Sequence, residues 1–414
     1  DTLIDNSGQG GVFADYNTTN SALTSGVSVD LVAGSASDGL GGTDSLVGVT
    51  AVNATSLNDT LLGGAGNDRF RPYGGSDSID GRGGAGDIVD YSPNASTQAV
   101  SVDLVAGRAS DGLGGNDTLS SIEEVRGGSG NDTVLGSSVA ETLYGNAGND
   151  SLLGGGGADC IYGGTGDDVV LGGDGNDTLF GSEGTNTVEG GVGDDQLWTI
   201  GAGRLSGGDG NDVLNGNAGN DTLLGGNDAD TINASAGDDS LDGGLGNDLY
   251  LMANATGNVS LIDGGGSDTV SMLGGGAGTT SGGDLAGGSG IEAIDLAGTG
   301  RLLQLNATVV RSLSDTDMLT VYGSGNDSLV FEDASSWTRG STTGGFVTFT
   351  TSTGGNATVM AAQSLVPAVS SATTGNDSLS GTSGDDAIDL LRSEEHTSEL
   401  QSHSDLVCRL LLEK

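Results

Sequence analysis

From Gly127 onward one apolar residue returns every nine positions, and most of what lies between is glycine or polar. The series is Val134, Leu143, Leu152, Ile161, Val170, Leu179, Val188 and Leu197. After an interruption at 199–206 (TIGAGRLS) it resumes with Leu214, Leu223, Ile232, Leu241 and Tyr250. Apolar residues this sparse cannot make the stripe of a core-facing helix, and glycine at this density defeats helices in any case. The pattern predicts short x-L-x strands, each with one inward side chain, separated by turns of the form G-G-x-G-N-D. Glycine supplies the φ > 0 conformations such turns need, and Asn or Asp tolerates them next best. Units in register begin at Gly127, Gly136, Gly145, Gly154, Gly163, Gly172, Gly181 and Gly190, then at Gly207, Gly216, Gly225, Ala234 and Gly243. Weaker copies begin at Ala54, Gly63, Ala372 and Gly381. Two units would make one coil, with one strand on each of two facing sheets, and coils would stack about 4.8 Å apart. The expected fold class is all-β: a parallel β-roll, that is, a two-sheet β-solenoid of nonapeptide repeats, with additional β modules.

A longer repeat precedes this block. VSVDLVAGSASDGLGGTDSL at 27–46 returns as VSVDLVAGRASDGLGGNDTL at 100–119, an offset of 73 residues. In each copy the Val-x-Val-x-Leu alternation predicts a short strand ahead of the repeats. From about 258 to 365, alternating Val, Phe and Thr with glycine turns predict a mostly β module, with one short helix near Ala307–Leu313. The expected organisation is a degenerate β module at 1–62, weak repeats with the second module copy at 63–126, and the main roll at 127–251. A Gly/Thr-rich β module at 252–370, the start of a further repeat block at 371–391 and a tail at 392–414 complete it.

Composition adds a tension. The chain has 414 residues, with 81 Gly, 3 Pro, 4% aromatic residues and a formal net charge of −45. So little proline excludes collagen. Low hydrophobicity with high net charge ordinarily means disorder, and only a repeat that binds cations escapes that outcome. An acidic surface repels nucleic acid and anionic membranes, so no nucleic acid is expected as a partner. No apolar stretch approaches the length of a membrane span. The chain starts at Asp1 with neither Met nor a signal peptide, which suggests a natural start further upstream. Two cysteines, Cys160 and Cys408, are too few for a disulfide scaffold.

The candidate chemistry sits at position six of the units. Asp132, Asp150, Asp159, Asp168, Asp177, Asp195, Asp212, Asp221, Asp230, Asp239 and Asp248 occupy it, with Asp59, Asp68, Asp377 and Asp386 in the weaker copies. Stacked coils would place these carboxylates in two columns whose repulsion needs a cation. Calcium accepts six to eight oxygens, from carboxylates and backbone carbonyls alike. Open glycine turns expose such carbonyls, and Gly127, Gly128, Gly130, Gly145, Gly148, Gly163, Gly164, Gly166, Gly172, Gly173, Gly175, Gly207, Gly208 and Gly210 are the candidate turn positions. Mg²⁺ fits such a cradle poorly, and Zn²⁺ wants His or Cys. Several Ca²⁺ ions are therefore the expected ligand. Glu141 and Asn186 break the pattern at position six, and their turns lack the second glycine. Weakened sites and neutral drift are both open readings there.

These units resemble the RTX (repeats-in-toxin) family, with signature G-G-x-G-x-D-x-U-x, over 127–198 and 207–251. The resemblance implies that the Asp carboxylates and turn carbonyls bind Ca²⁺ between coils. It also implies that the chain leaves the cell unfolded through a type I secretion channel and folds in external calcium, at the cell surface or beyond. It does not fix the upstream activity, which in the family ranges over cytolysins, proteases, lipases, adhesins and surface-layer proteins. The β module after the main roll is similar to one near the C-terminal end of large RTX adhesin-like surface proteins. Within it, Asp315, Asp317 and Asp327 are either further calcium ligands or solvated turn residues, the commoner role of Asp.

Catalytic constellations are not found. Histidine is confined to the final segment, which removes His-based triads and HExxH zinc sites. Cys160 reads as a small strand residue without a base beside it. Asp167-Asp168, Asp194-Asp195 and Asp238-Asp239 are neighbours on one turn, not the facing pair of a glycosidase. Trp198 and Trp337 are isolated in sequence, so no aromatic platform for carbohydrate is evident. The expected function is a non-enzymatic calcium-binding structural or adhesive segment of a large secreted bacterial protein, whose partners are Ca²⁺ and a cell or abiotic surface. The alternative is the C-terminal secretion and folding segment of an exoenzyme or cytolysin whose catalytic domain lies upstream. The tail RSEEHTSELQSHSDLVCRLLLEK carries His396, His403 and Lys414 and lacks glycine. It resembles translated sequencing-adapter sequence and is expected to be foreign to the natural protein; a natural secretion signal is the alternative.

Overall fold

The computed structural model describes residues 2–4, 12–17, 23–93, 97–252, 259–272, 279–281, 289–296, 302–305, 307–314, 318–323, 327–331, 338–343, 346–351, 357–362, 365 and 378–380. Asp315, Asp317, Asp377, Asp386 and the tail at 392–414 lie outside these residues. The chain divides into two units, Asp1–Thr199 and Ile200–Lys414, described in turn.

In the first unit each repeat strand pairs in parallel with the strand 18 residues later. Thr142–Ala147, Cys160–Thr165, Thr178–Glu183 and Gln196–Trp198 form one ladder, with Leu143, Ile161, Leu179 and Leu197 in register. Thr133–Leu135, Ser151–Gly156, Val169–Asp174 and Asn186–Val192 form the other, with Val134, Leu152, Val170 and Val188 in register. Alternate nonapeptides thus go to opposite sheets, as in a parallel β-roll. All eight inward residues are fully buried. The hydrophobic core is a stack of single side chains, one per strand, which is how so few apolar residues suffice.

Two features differ from the sequence expectation. Several strands are six residues long rather than three, because pairing continues into the glycine turn: Asn146 pairs with Gly164, and Gly155 with Gly173. Glycine leaves no side chain between the stacked turn backbones, so their hydrogen bonds run on. The 73-residue module is also more than one strand. Ser28–Asp30, Ser35–Ser37 and Thr43–Val47 form an antiparallel meander, and Ser28–Asp30 pairs in parallel with Thr60–Leu62 of the repeat that follows. The second copy repeats this with Ser101–Asp103, Arg108–Ser110, Asn116–Ser120 and Thr133–Leu135. Equivalent Asp-capped turns close both hairpins: Ala33 N donates to Asp30 Oδ1 at 2.9 Å, and Ala106 N to Asp103 Oδ1 at 2.8 Å.

The outer face of one ladder carries a column that linear sequence hides. Position nine of alternate units is Tyr144, Tyr162, Phe180 and Trp198, and their rings stack at centroid distances of 4.9, 4.7 and 4.8 Å. Arg126 lies over the Tyr144 ring at 5.1 Å. Trp198 is therefore not isolated. The rings stack on one another, so the column ties coils together. Phe180 sits between two rings, and Phe180→Ala is expected to lower stability by about 1–3 kcal/mol, two aromatic contacts' worth. A clearly depressed thermal midpoint in saturating calcium, largely absent for Phe180→Tyr, checks this.

In the second unit the same 18-residue pairing links Gly203–Asp209, Thr222–Asn227 and Asp239–Gly246, and separately Thr231–Asn233 with Val213–Asn215 and Leu249–Leu251. The interruption read at 199–206 does not break this ladder. Leu205 pairs with Leu223 and is fully buried. The segment is a repeat one residue short in its turn. Beyond the strict repeats, Asp268–Ser271, Ile291–Asp295, Met318–Tyr322 and Ala357–Ala362 extend the parallel pairing. Phe346–Thr351 and Thr338–Thr343 then join antiparallel. The expected helix is present at Ala307–Leu313. Among the described residues, no helix is long and apolar enough to cross a membrane.

Candidate metal centre

The turn geometry follows from two left-handed positions. In most strict units positions two and four have positive φ, as at Gly164 (114°), Gly166 (131°), Gly173 (118°) and Gly175 (132°); Gly128 and Gly130 do not. Non-glycine residues at position two are left-handed at Asn146 (77°), Ser182 (68°), Asn217 (59°) and Ser235 (62°), but not at Ser137. Position one is different: it is confined in space, and it is glycine in every strict unit but the one that begins at Ala234. An ideal Cβ on Gly163 would lie 2.4 Å from Asp168 Oδ2 and 2.8 Å from the Gly181 carbonyl oxygen; on Gly172 it would lie 2.2 Å from Asp177 Oδ2 and 2.6 Å from the Gly190 carbonyl oxygen. A carboxylate oxygen and a carbonyl oxygen of the next coil thus converge on space that any side chain would fill.

The position-six carboxylates form the two columns, and each is fixed by backbone. The amide of Asp132 donates to Asp150 Oδ1 at 2.7 Å, and that of Asp150 to Asp168 Oδ1 at 2.9 Å. On the other side Asp159 N donates to Asp177 Oδ1 at 2.8 Å, and Asp177 N to Asp195 Oδ1 at 2.7 Å. In the second unit Asp212 N donates to Asp230 Oδ1 and Asp230 N to Asp248 Oδ1, both at 2.8 Å, while Asp221 N donates to Asp239 Oδ1 at 3.0 Å. All these side chains are buried, yet no hydrogen-bond donor meets Oδ2 of Asp150, Asp159, Asp168, Asp177, Asp221, Asp230, Asp239 or Asp248. A buried carboxylate oxygen without a donor is costly, and a cation is the partner that removes the cost.

The candidate residues are not all alike. At Asp59, Asp68 and Asp132, Oδ2 accepts an amide from its own turn, from Thr55, Gly64 and Gly128 respectively. Gly128 is accordingly a donor to the carboxylate in its turn. Asn186 keeps half of the device: its Oδ1 accepts the Asp168 amide at 2.9 Å, and its Nδ2 donates to the Ser182 carbonyl at 3.3 Å. Glu141 turns Oε1 onto the Ser137 amide and hydroxyl, leaving Oε2 buried without a donor.

Other buried carboxylates stand at equivalent places, after turns whose glycines are spaced differently from G-G-x-G-N-D. Asp77 N donates to Asp117 Oδ1 at 2.9 Å, Asp59 N to Asp77 Oδ1 at 2.7 Å, and Asp68 N to Asp87 Oδ1 at 2.7 Å. Asp327 is fully buried against Gly323, so the solvated reading of that residue fails. The signal that finds all of them is Asp two residues before a buried apolar residue: Asp77 and Ile79, Asp87 and Val89, Asp117 and Leu119, Asp327 and Leu329. Position five was also missed. Its side-chain oxygen accepts the amide of position five in the next coil, as Asn131 does from Asn149 at 2.9 Å and Asn149 from Asp167 at 3.0 Å. In the paired Asp167-Asp168, the first residue is thus on an exposed ladder and the second is buried.

Burial dominates the electrostatics. It pushes Asp150 and Asp159 up to about 7, Asp230 to about 8, and Asp221 and Asp248 to about 6, with like-charged neighbours adding to the effect and the backbone amide opposing it. Asp168, Asp177 and Asp239 are raised by the same cause.

An all-oxygen donor set of carboxylates and carbonyls on glycine turns fits a hard cation of calcium's size. The fold and this donor set define a structural, calcium-binding repeat protein. Residues 53–88, 122–138, 135–170, 162–197, 199–232, 216–250 and 370–391 match the RTX calcium-binding nonapeptide repeat, so the chain carries the calcium-binding repeats that define the RTX family. The match at 199–232 takes in the shortened turn, and that at 53–88 takes in Asp77 and Asp87. No curated protein matches the chain.

Proposed function

We propose that this chain is a calcium-folded structural and adhesive segment of a large secreted protein. The position-six carboxylates, with the turn carbonyls, are the calcium ligands. The protein crosses the envelope unfolded by type I secretion and becomes a roll where calcium is plentiful. The observation that carries this is the column of buried Oδ2 atoms without donors, with a carbonyl of the next coil converging on the same space at Asp150, Asp159, Asp168, Asp177 and Asp230. Several ions, between coils, would satisfy them. Without calcium inside the cell the columns repel and keep the chain export-competent. The duplicated meander and the β module after the main roll favour an adhesive role over a bare secretion tag. The chain coupled to beads should hold to cells or glass in calcium and release in chelator; no retention on any surface would remove the adhesive half of this reading.

Single-site variants test the ligand assignment. Asp177→Ala should shift the midpoint of calcium-dependent folding upward at least severalfold. Asp177→Asn should shift it less, because Asn can still accept the Asp159 amide as Asn186 does for Asp168. Asn186→Ala should shift it least, since no carboxylate is lost. Equal midpoints for all three, read by circular dichroism during titration, would mean that position six does not rank the sites.

A further inference from the structure

The register of the roll continues one coil past the strict repeats, at 263–268, where the chain reads D-G-G-G-S-D. Asp248 N donates to Asp268 Oδ1 at 2.8 Å, so Asp268 holds position six of that coil. Gly265 pairs with Leu245 and Gly266 with Gly246, which places Asp263 opposite Gly243, at position one. In earlier coils this is the place where a Cβ would meet the position-six carboxylate; on Gly243 it would lie 2.4 Å from Asp248 Oδ2. Here the chain puts a third carboxylate there instead.

The arrangement around it is specific. One oxygen each of Asp248, Asp263 and Asp268 lies within 4.8 Å of the others. The three side chains are 1%, 8% and 0% exposed. No donor reaches Oδ2 of Asp248 or of Asp268, both of which are buried. Position eight of the preceding unit, aliphatic in the other strict repeats, is Tyr250. Its hydroxyl accepts the Gly243 amide at 2.6 Å and donates to Asp263 Oδ2 at 2.9 Å, while Gly265 N donates to Asp263 Oδ1 at 3.2 Å. Asp263 is thus held in place at both oxygens.

Three buried carboxylates this close cannot all stay charged alone. Oxygens on opposite sides of one Ca²⁺ stand roughly 4.6–5.2 Å apart, so a single ion can reach all three. We propose that Asp248, Asp263 and Asp268 form a terminal calcium site, with Asp263 positioned by Tyr250, that binds more tightly than the repeat sites. Its advantage is charge: a third carboxylate replaces a glycine, and affinity rises with ligand charge count. This rests on the reading of the repeats as calcium sites and adds a site outside the repeat pattern. It would also anchor the last regular coil.

The test is a calcium titration of the full chain by calorimetry and equilibrium dialysis, with circular dichroism in parallel. Asp263→Gly restores the residue that the repeat has at position one, and Asp263→Asn keeps the shape without the charge. Both should weaken the tightest binding step at least tenfold while calcium-induced β structure persists. A tightest step unchanged in Asp263→Asn overturns the site, and so does a finding that the substitution alters only proton uptake, which would assign the carboxylates a shared proton. Should Asp263→Gly fail to fold, the Asn variant decides. If the wild-type chain takes up no calcium, the repeat reading itself falls; if it does so with no step sensitive to Asp263, only the terminal site falls.

Discussion

Chelation of calcium at neutral pH is expected to abolish most of the β signal of this chain, and millimolar calcium to restore it cooperatively. The core explains the size of the effect. In the regular repeats each strand buries a single apolar side chain, such as Leu152 or Leu179. Against that small gain stand glycine turns, which lose more conformational freedom on folding than any other residue. Two columns of buried carboxylates add repulsion. Ion binding must supply the difference, so folding and binding become one transition. Neighbouring coils share ladders, which makes that transition cooperative along each unit. Circular dichroism in calcium and in excess chelator checks it, and an unchanged β signal in chelator would sink the account.

Acid should partly replace calcium. In chelator, lowering the pH from 8 to 4 is expected to return a substantial part of the β signal. The sign follows from the direction of the shifts. Asp150, Asp159, Asp221, Asp230 and Asp248 titrate at about 6–8 in the fold, above the ordinary carboxylate value of 3.8. The folded state therefore binds protons more tightly than the unfolded chain. Stability from these groups is fully present below about 3.8 and is lost as pH rises through 6–8. With calcium present the dependence reverses, because protons compete for the same oxygens and the calcium midpoint should rise on acidification. A chelated chain equally disordered at pH 8 and pH 4 would contradict the burial of these carboxylates.

The regular part of the fold was legible because one residue reports it. Every apolar residue of the nine-residue series is an inward core residue, and the 18-residue pairing puts two of the strands in each coil. What glycine counting obscured was structure whose glycines fall outside the G-G-x-G-N-D spacing. Asp77, Asp87 and Asp117 continue the carboxylate columns on the strength of an apolar residue two positions on, a weaker signal than G-G-x-G. Leu205 keeps its place in the ladder although its turn is a residue short, since the strand sets the register and the turn adapts. The stacking of Tyr144, Tyr162, Phe180 and Trp198 depends on an 18-residue spacing that separates them in sequence. The division of the carboxylates into open and self-capped turns was not legible. It depends on which way a peptide plane faces at position two, and Gly128 and Gly164 are the same residue with different backbones.

The two side-chain ladders run in opposite senses. At position six a coil's carboxylate accepts from the coil before it; at position five a coil's side-chain oxygen accepts from the coil after it. Each coil therefore has two unlike faces, and a further coil fits a free face only by translation along the roll axis. Two copies of this chain meeting end to end through such faces cannot be related by a two-fold rotation. Contact of this kind is heterologous and does not close. Self-association that continues these ladders from one copy into the next is therefore a polar filament with a head and a tail.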